Sequence, residues 1–340
     1  MSTAIAWLRG ASPWDGRDRA PLRWAIAAVA TWDLVHLLVL ATRDAGDLLP
    51  VAPGWPYQWL VMHGEVLAAL GGLGLAAALG FALGWAPLRL CAVLLVALHL
   101  AEESAGRAFR SLPPEPFQPG LFLYGWLLGL LYAREVGLGG DRQRSEALAE
   151  SGALAACAAS YVLAGFAKLA HHGLDWDHRA IWHVVLSLRP IDGWIDGALG
   201  LDLSTPVVGS RLLAAALAYG ALISQLGAAA LCFGGGVRRA AATLLVAMHV
   251  AMFVLAAAFD PEIIVLLAVF CRLWPGGRRG AAPAQRPSSM VAAGLATPPS
   301  RWLPRRLLLG CAGLVAVAWL SPLRAWMAFA PLLPRWPFDP

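Results

Sequence analysis

The chain has 340 residues, of which 59% are hydrophobic and 14% are charged, and its formal net charge is +5. This composition excludes an ordinary soluble domain, in which about a quarter of the residues are charged. The arginines lie in short segments between apolar stretches, where they set membrane topology rather than bind nucleic acid. We therefore expect a multi-pass protein of the cell membrane that contacts membrane lipid and has no nucleic-acid partner.

Apolar stretches close to the length that crosses a bilayer as a helix recur along the chain. They lie at residues 22–41, 59–84, 87–104, 119–134, 151–170, 208–233, 239–259, 262–274 and 307–329, and the eighth is short. The predicted fold class is an all-α integral membrane protein, a helical bundle of eight or nine transmembrane spans. More arginines fall on the side of the N-terminus, which is therefore predicted to be cytoplasmic; they include Arg19, Arg23, Arg89, Arg134, Arg142 and Arg238.

Four segments follow from this pattern of spans. Residues 1–21 form a cytoplasmic N-terminal segment, and residues 22–275 form the main transmembrane domain. Residues 276–306 are rich in Pro, Gly and Arg, which predicts a flexible cytoplasmic linker. Residues 307–340 hold the final span and a short extracytoplasmic tail.

Most ionisable residues inside the predicted spans fall in the outer half of the bilayer, where their common level predicts one outward-opening cavity. The candidates outside the central stretch are Asp33, His36, His63, His99, Glu102 and His249. Each has an alternative role. Residues near the boundary could reach headgroups or water, Asp33 and His36 could hold helices together, and His249 could be a hydrogen-bonded core histidine. Gln225, counted toward the inner half of the sixth span, is expected to form an interhelical hydrogen bond.

The only lysine of the chain, Lys168, lies near the end of the fifth span. It shares a helical stripe with Tyr161, Gly165 and His172, and His171 lies at the edge of the stripe. Gly165 is expected to let another backbone approach. Burial of an amine disfavours its charged form, so Lys168 can act as a base, which an arginine cannot. The alternative is that Lys168 extends its ammonium group to the outer interface.

The segment after the fifth span, WDHRAIWHVVLSL, is too short to span a bilayer and too apolar for a free loop. Because Trp176 is typical of the membrane interface, we expect an interfacial or re-entrant helix over the cavity. Arg179 and His183 share one face of it and could bind an anionic or quinone-like group, or could face water. The chain has neither HExxH nor a repeated ExxH, so no metal site is predicted.

At these residues the sequence resembles a known family. YVLAGFAKL, then DW, then an apolar helix, is similar to the HTTM superfamily, the transmembrane domain of vitamin K-dependent gamma-carboxylases and of many bacterial membrane proteins, including maturation proteins of sporulation-delaying toxins. TWDLVHLLVLATRDAGDLLP and VRRAAATLLVAMHVAMFVLAAAFDPEIIVLLAVF support the resemblance, which covers about residues 20–275. It implies that Lys168 deprotonates a reduced quinone such as vitamin K hydroquinone, at a site that faces outward.

The chain departs from the carboxylases in four ways. Two extra residues separate Lys168 from Trp176, and Arg179 stands where related sequences tend to have glycine. No motif matches the second catalytic histidine of the carboxylases, so His99 and His249 are candidates from depth alone. The last span is followed only by PLLPRWPFDP, which leaves no room for a propeptide-binding domain.

Two functions follow from the sequence. The first is a carboxylase-like enzyme that acts on a quinol or a similar small molecule at the outer face, without protein carboxylation. The second is a non-catalytic membrane protein for maturation, export or immunity of a small secreted peptide or lipid.

Overall fold

The computed structural model describes residues 18–41, 59–60, 63–108, 118–173, 179, 181–182, 204–256 and 261–273, and no strand occurs in these ranges. The helices are α1 (Ala20–Ala41), α2 (Gly64–Leu83), α3 (Pro87–Ala108), α4 (Gln118–Glu135), α5 (Arg142–His172), α6 (Ser204–Gly209), α7 (Arg211–Gly227), a 3-10 turn (Ala228–Cys232), α8 (Gly235–Ala256) and α9 (Pro261–Cys271). A helix therefore lies in each of the first eight predicted spans. The ninth span and the linker at 276–306 lie outside the described residues.

Three helical segments in the described part of the chain are long and apolar enough to cross a membrane: Gly64–Leu83, Arg142–Ala170 and Arg211–Cys232. Pro87–Leu100 and Glu262–Cys271 are apolar but shorter. Large apolar side chains are exposed on several helices, such as Trp32 on α1 and Ile223 on α7. Such exposed apolar surface is expected where lipid, rather than water, surrounds a bundle.

Three boundaries differ from the predicted spans. The helix of the fifth span begins at Arg142, before residue 151, because the Asp141 carboxylate caps it by accepting a hydrogen bond from the Arg144 amide at 3.1 Å. The helix of the second span begins only after His63, which occupies the N-cap position. The sixth span is α-helical only to Gly227 and continues as the 3-10 turn.

The helices α4 and α5 pack at very short range along their glycines. A Cβ atom on Gly125 would overlap the carbonyl oxygen of Gly152, and one on Gly129 would overlap that of Leu148. The two backbones therefore touch. Gly125 and Gly129 form a G-x-x-x-G pattern, which lets membrane helices pack at short range.

Aromatic rings fill the centre between α2, α4 and α9. Trp126 packs edge-on against Phe81 and Phe270, with ring centroids 5.9 and 6.2 Å apart, and Phe122 packs against Phe270 at 4.9 Å. All four rings are fully buried. Rings in this geometry add to the packing energy of the core.

Buried ion pairs join α1, α5 and α8 at one end of the bundle, which we call the arginine end. Glu150 of α5 accepts from Arg19 Nε at 2.9 Å and lies 3.8 Å from Arg238 Nη1, and Glu146 pairs with Arg23 and with Arg142. Arg19 lies directly before α1 and Arg23 lies in its first turn, and both side chains are buried in these ion pairs, at 3% exposure each, rather than free in a loop. Their partners, Glu146 and Glu150, lie in α5 before residue 151, where the fifth span was predicted to begin.

Helix directions alternate at the arginine end. Arg23, in the first turn of α1, donates to the carbonyl of Ala82 in the last turn of α2 at 3.4 Å. The last residues of α4 and the first residues of α3 and α5 line one cavity there. The α1 to α5 series is thus an up-and-down bundle, as the order of the predicted spans requires.

Candidate functional site

Lys168 lies in the last turns of α5, and its half-buried amine contacts α7. Its Nζ donates to Oε1 of Gln225 at 2.9 Å. The predicted interhelical hydrogen bond of Gln225 is therefore confirmed, and its partner is the lone lysine. Gly165, one turn earlier, makes room for this contact, since a Cβ there would lie 2.9 Å from Cδ2 of Leu226. The close approach predicted at Gly165 is present, although side chains of α7 make it rather than a backbone.

This hydrogen bond contradicts the relative depths expected for Gln225 and Lys168. Counting along the spans puts Gln225 toward the inner half and Lys168 near the outer boundary, yet their side chains meet. Counting assumes that every span begins and ends at the same two planes. Because α5 begins nine residues before the predicted span at 151–170 and the sixth span ends in a 3-10 turn, that assumption fails.

A second polar contact lies deeper in the bundle, between α5 and α8. The Tyr161 hydroxyl and the His249 Nε2 are 2.6 Å apart, and both side chains are buried. Tyr161 precedes Lys168 by two helical turns, which is about 10 Å along α5. His249 thus has the environment of a hydrogen-bonded core histidine, one of the two roles expected for it.

Two contacts between α5 and α8 are separated by the same number of residues on both helices. The spacing of Glu150 and Tyr161 on α5 equals that of Arg238 and His249 on α8, and both pairs are in contact. The two helices therefore run in the same direction over this length. This arrangement carries Tyr161 and His249 to one level of the core.

Asp33 lies on α1 where α9 packs against it. Its Oδ2 atom is buried and has no hydrogen-bond partner within the described ranges. Glu262, in the first turn of α9, is close enough for the two carboxyl groups to interact electrostatically. A carboxyl group in this position faces the bundle interior, as intramembrane acids with a function usually do.

Two predicted site residues lie away from Lys168. His63 stacks on Trp59 with ring centroids 4.2 Å apart, and its Nδ1 lies 2.6 Å from the Trp59 carbonyl oxygen, so its contacts are local. His99 is exposed on α3 and forms no hydrogen bond or ion pair in the part of the chain that the structure describes. The structure therefore does not bring these two histidines to the amine.

In the segment after α5, the described residues Ile181 and Trp182 contact α6 and α7. Trp182 Nε1 donates to the carbonyl of Val207 on α6 at 3.2 Å, and Ile181 and Trp182 pack against Val207 and Ala214. Arg179 is exposed. The side chains of His36, Glu102, His171 and His172, and the residues Trp176 and His183, lie outside the described residues.

The described side chains contain no group of three or more His, Cys, Asp or Glu residues that could hold a metal ion. Among the described residues, the candidate site consists of an amine and an amide between α5 and α7 and of a phenol and an imidazole two helical turns away. These groups can donate, accept and transfer protons.

The sequence analysis missed two structural features that position the site. Glu146 and Glu150 are spaced i, i+4 in SEALAE, directly before an apolar run, and this spacing could have indicated a buried acidic face for the arginines. GWLLG at Gly125–Gly129 could have identified the α4–α5 contact.

No protein-family model, curated protein or solved structure matches the chain.

Proposed function

We propose that this chain is a multi-pass protein of the cell membrane, of HTTM type, with eight or nine spans and a cytoplasmic N-terminus. Three helical segments of spanning length and apolarity support the membrane location. Helices in the other predicted spans, and apolar side chains on the outer surface, support the larger number of spans. The cluster of arginines at one end of the bundle supports the orientation, because cytoplasmic ends carry an excess of arginine.

Its reaction centre is Lys168, acting as a general base on an acidic hydroxyl group such as that of a quinol. The observation that carries this proposal is the 2.9 Å hydrogen bond from Lys168 Nζ to the Gln225 amide oxygen. A neutral lysine amine has two N–H bonds and one lone pair. Gln225 accepts a hydrogen bond from one N–H and orients the amine, and the proposed reaction requires the lone pair of the neutral amine to accept the hydroxyl proton.

A reduced quinone, when bound, would supply the acidic hydroxyl and the redox chemistry. A flat apolar ring suits a site on the exposed side of α5, where Phe166 and Leu169 flank the lysine. Lys168 would take the hydroxyl proton, and Gln225 would hold the amine in place during the transfer. Oxygen-dependent chemistry after this step is carried over from the HTTM carboxylases by analogy alone.

The test uses Lys168→Arg and Lys168→Met, with Arg239→Gln on the exposed start of α8 as the control. The purified proteins are extracted and bound quinone is identified by mass spectrometry, and then consumption of added quinol is followed. We expect both Lys168 variants to lose consumption by a factor of about 100 or more, since general base catalysis contributes that much. Full activity in folded Lys168→Arg would disprove the base mechanism, because arginine does not give up its proton.

The state of the amine can also be measured directly, because Lys168 is the only lysine. An amine-selective reagent labels only Lys168 and the N-terminal amine, and peptide mass spectrometry separates the two. A base must be neutral in a useful fraction of molecules near neutral pH, so labelling must be detectable there and must fall when bound quinol covers the site. Complete resistance to labelling in the ligand-free protein would count against the proposal.

A second function is supported by where the histidines lie. His249 contacts Tyr161 in the core, about 10 Å along α5 from the lysine, and His99 lies on an exposed face of α3. With the two candidate catalytic histidines, His99 and His249, both away from the amine, the described residues suit a non-catalytic protein that binds a small secreted peptide or a lipid. In that case Lys168→Arg keeps the bound ligand and the cellular phenotype, whereas Lys168→Met loses both.

A further inference from the structure

A cavity of about 450 Å³ opens at the arginine end, far along α5 from Lys168. Its walls are the α2–α3 turn, the last turn of α4 and the first turns of α3 and α5. A cavity of this size can hold a small ligand or the headgroup of a lipid. Neither proposed function uses it.

Three arginines from three helices line the cavity: Arg89, Arg134 and Arg142. The one acidic residue in its wall, Glu146, already bonds to Arg23 and Arg142. Arg89 and Arg134 are exposed and have no ion pair or hydrogen bond among the residues that the structure describes. The cavity therefore carries an excess of positive charge that no acid in its wall offsets.

Gly84 leaves room for the guanidinium group of Arg142 in the cavity wall and for that of Arg23 beside it. Gly84 ends α2 with φ +77°, and a Cβ at this position would overlap Nη2 of Arg142 and lie 3.2 Å from Nη2 of Arg23. Only glycine fits both the left-handed conformation and this contact. The first turn of α3 also lines the cavity, and its helix dipole adds to the positive potential.

We propose that this cavity binds a phosphate group. Guanidinium groups bind phosphate through paired hydrogen bonds, and arginines from three directions suit its tetrahedral oxygens. Basic pockets between membrane helices at the cytoplasmic side bind lipid headgroups in this way. Trp85, in the turn beside the cavity, is 65% exposed, as a side chain at the membrane interface would be. Phosphate chemistry follows from the arginines; a lipid as its source rests on the proposed membrane orientation.

The experiment measures binding to purified full-length protein of two probes. One is phosphatidylglycerol in phosphatidylcholine nanodiscs, with pure phosphatidylcholine as the reference, and the other is inorganic phosphate. Arg89→Gln and Arg134→Gln are compared with Arg239→Gln, which removes an exposed arginine at the same end but outside the cavity. All three side chains are exposed, so thermal unfolding of the variants should match that of the parent protein.

We expect Arg89→Gln and Arg134→Gln each to weaken binding by about tenfold, since each removes a charge-assisted hydrogen bond. Arg239→Gln and Lys168→Met should bind as the parent does, which separates this proposal from the one at Lys168. Binding of phosphatidylglycerol alone identifies a lipid headgroup, and competition by inorganic phosphate identifies a soluble phosphate as a ligand too. Equal binding of both nanodisc types together with no binding of inorganic phosphate, or equal losses in Arg89→Gln and Arg239→Gln, would overturn the proposal.

Discussion

The arginine end and the Lys168 region differ in how they accommodate polar groups inside an apolar bundle. At the arginine end, carboxylates meet guanidinium groups, and Arg19, Arg23, Glu146 and Glu150 are all nearly fully buried. Around Lys168, an amine meets an amide and a phenol meets an imidazole. The buried charge pairs fix helices in place. The amine, the phenol and the imidazole can exchange protons, which is why we propose proton transfer at Lys168 and assign a structural role to the buried ion pairs.

The largest loss of stability is expected from breaking a buried ion pair at the arginine end. Glu146→Gln leaves the guanidinium of Arg23 buried without its carboxylate, which should lower the free energy of unfolding by about 3 kcal/mol or more. Asp141→Asn is the matched control, because the Arg144–Asp141 pair is partly exposed and asparagine also caps a helix. It should cost about 1 kcal/mol or less. Denaturant unfolding in detergent measures both, and equal losses would show that burial of the pair is not decisive.

The next effect is at the α4–α5 contact, on which both regions depend because α5 carries both. Gly129→Ala places a methyl group against the backbone of Leu148 and Ala149 and should cost about 1 to 3 kcal/mol. Gly220→Ala on α7 meets no atom within 4 Å and should instead stabilise the helix by about 0.5 to 1 kcal/mol. The same change, glycine to alanine, is therefore expected to lower the thermal unfolding temperature at Gly129 and to raise it at Gly220. The same sign at both sites would contradict the close packing.

The smallest effect on stability is expected at Lys168. Gln225→Leu removes the amide acceptor and should cost only about 0.6 kcal/mol, the average for an interhelical hydrogen bond in a membrane protein. Quinol consumption should nevertheless fall, because the amine is no longer held in position. Gln225→Glu should keep the contact and lower consumption as well, since a carboxylate stabilises the charged amine. Unchanged consumption in both variants would remove Gln225 from the proposed site.

The sequence predicted several residues that make polar or close contacts in the bundle, but it did not predict how they meet. Lys168, Gly165, Tyr161 and Gln225 were each identified from position in an apolar helix, and each makes a contact in the structure. The pairing was missed, since two helices can slide along each other without any change in either sequence. Counting residues from span ends therefore placed Lys168 and Gln225 at different levels, although their side chains meet.

By itself, the sequence determined the helical class and the positions of eight helices, because an apolar run in a bilayer must satisfy its backbone hydrogen bonds internally. It also determined the single lysine. Only the tertiary structure decided that Glu146 and Glu150 receive the arginines, that α4 and α5 touch along their glycines, and that Lys168 bonds to Gln225. Each of these contacts joins residues that are distant in the chain. Such contacts depend on the offset and rotation of one packed helix relative to another, which local sequence patterns do not specify.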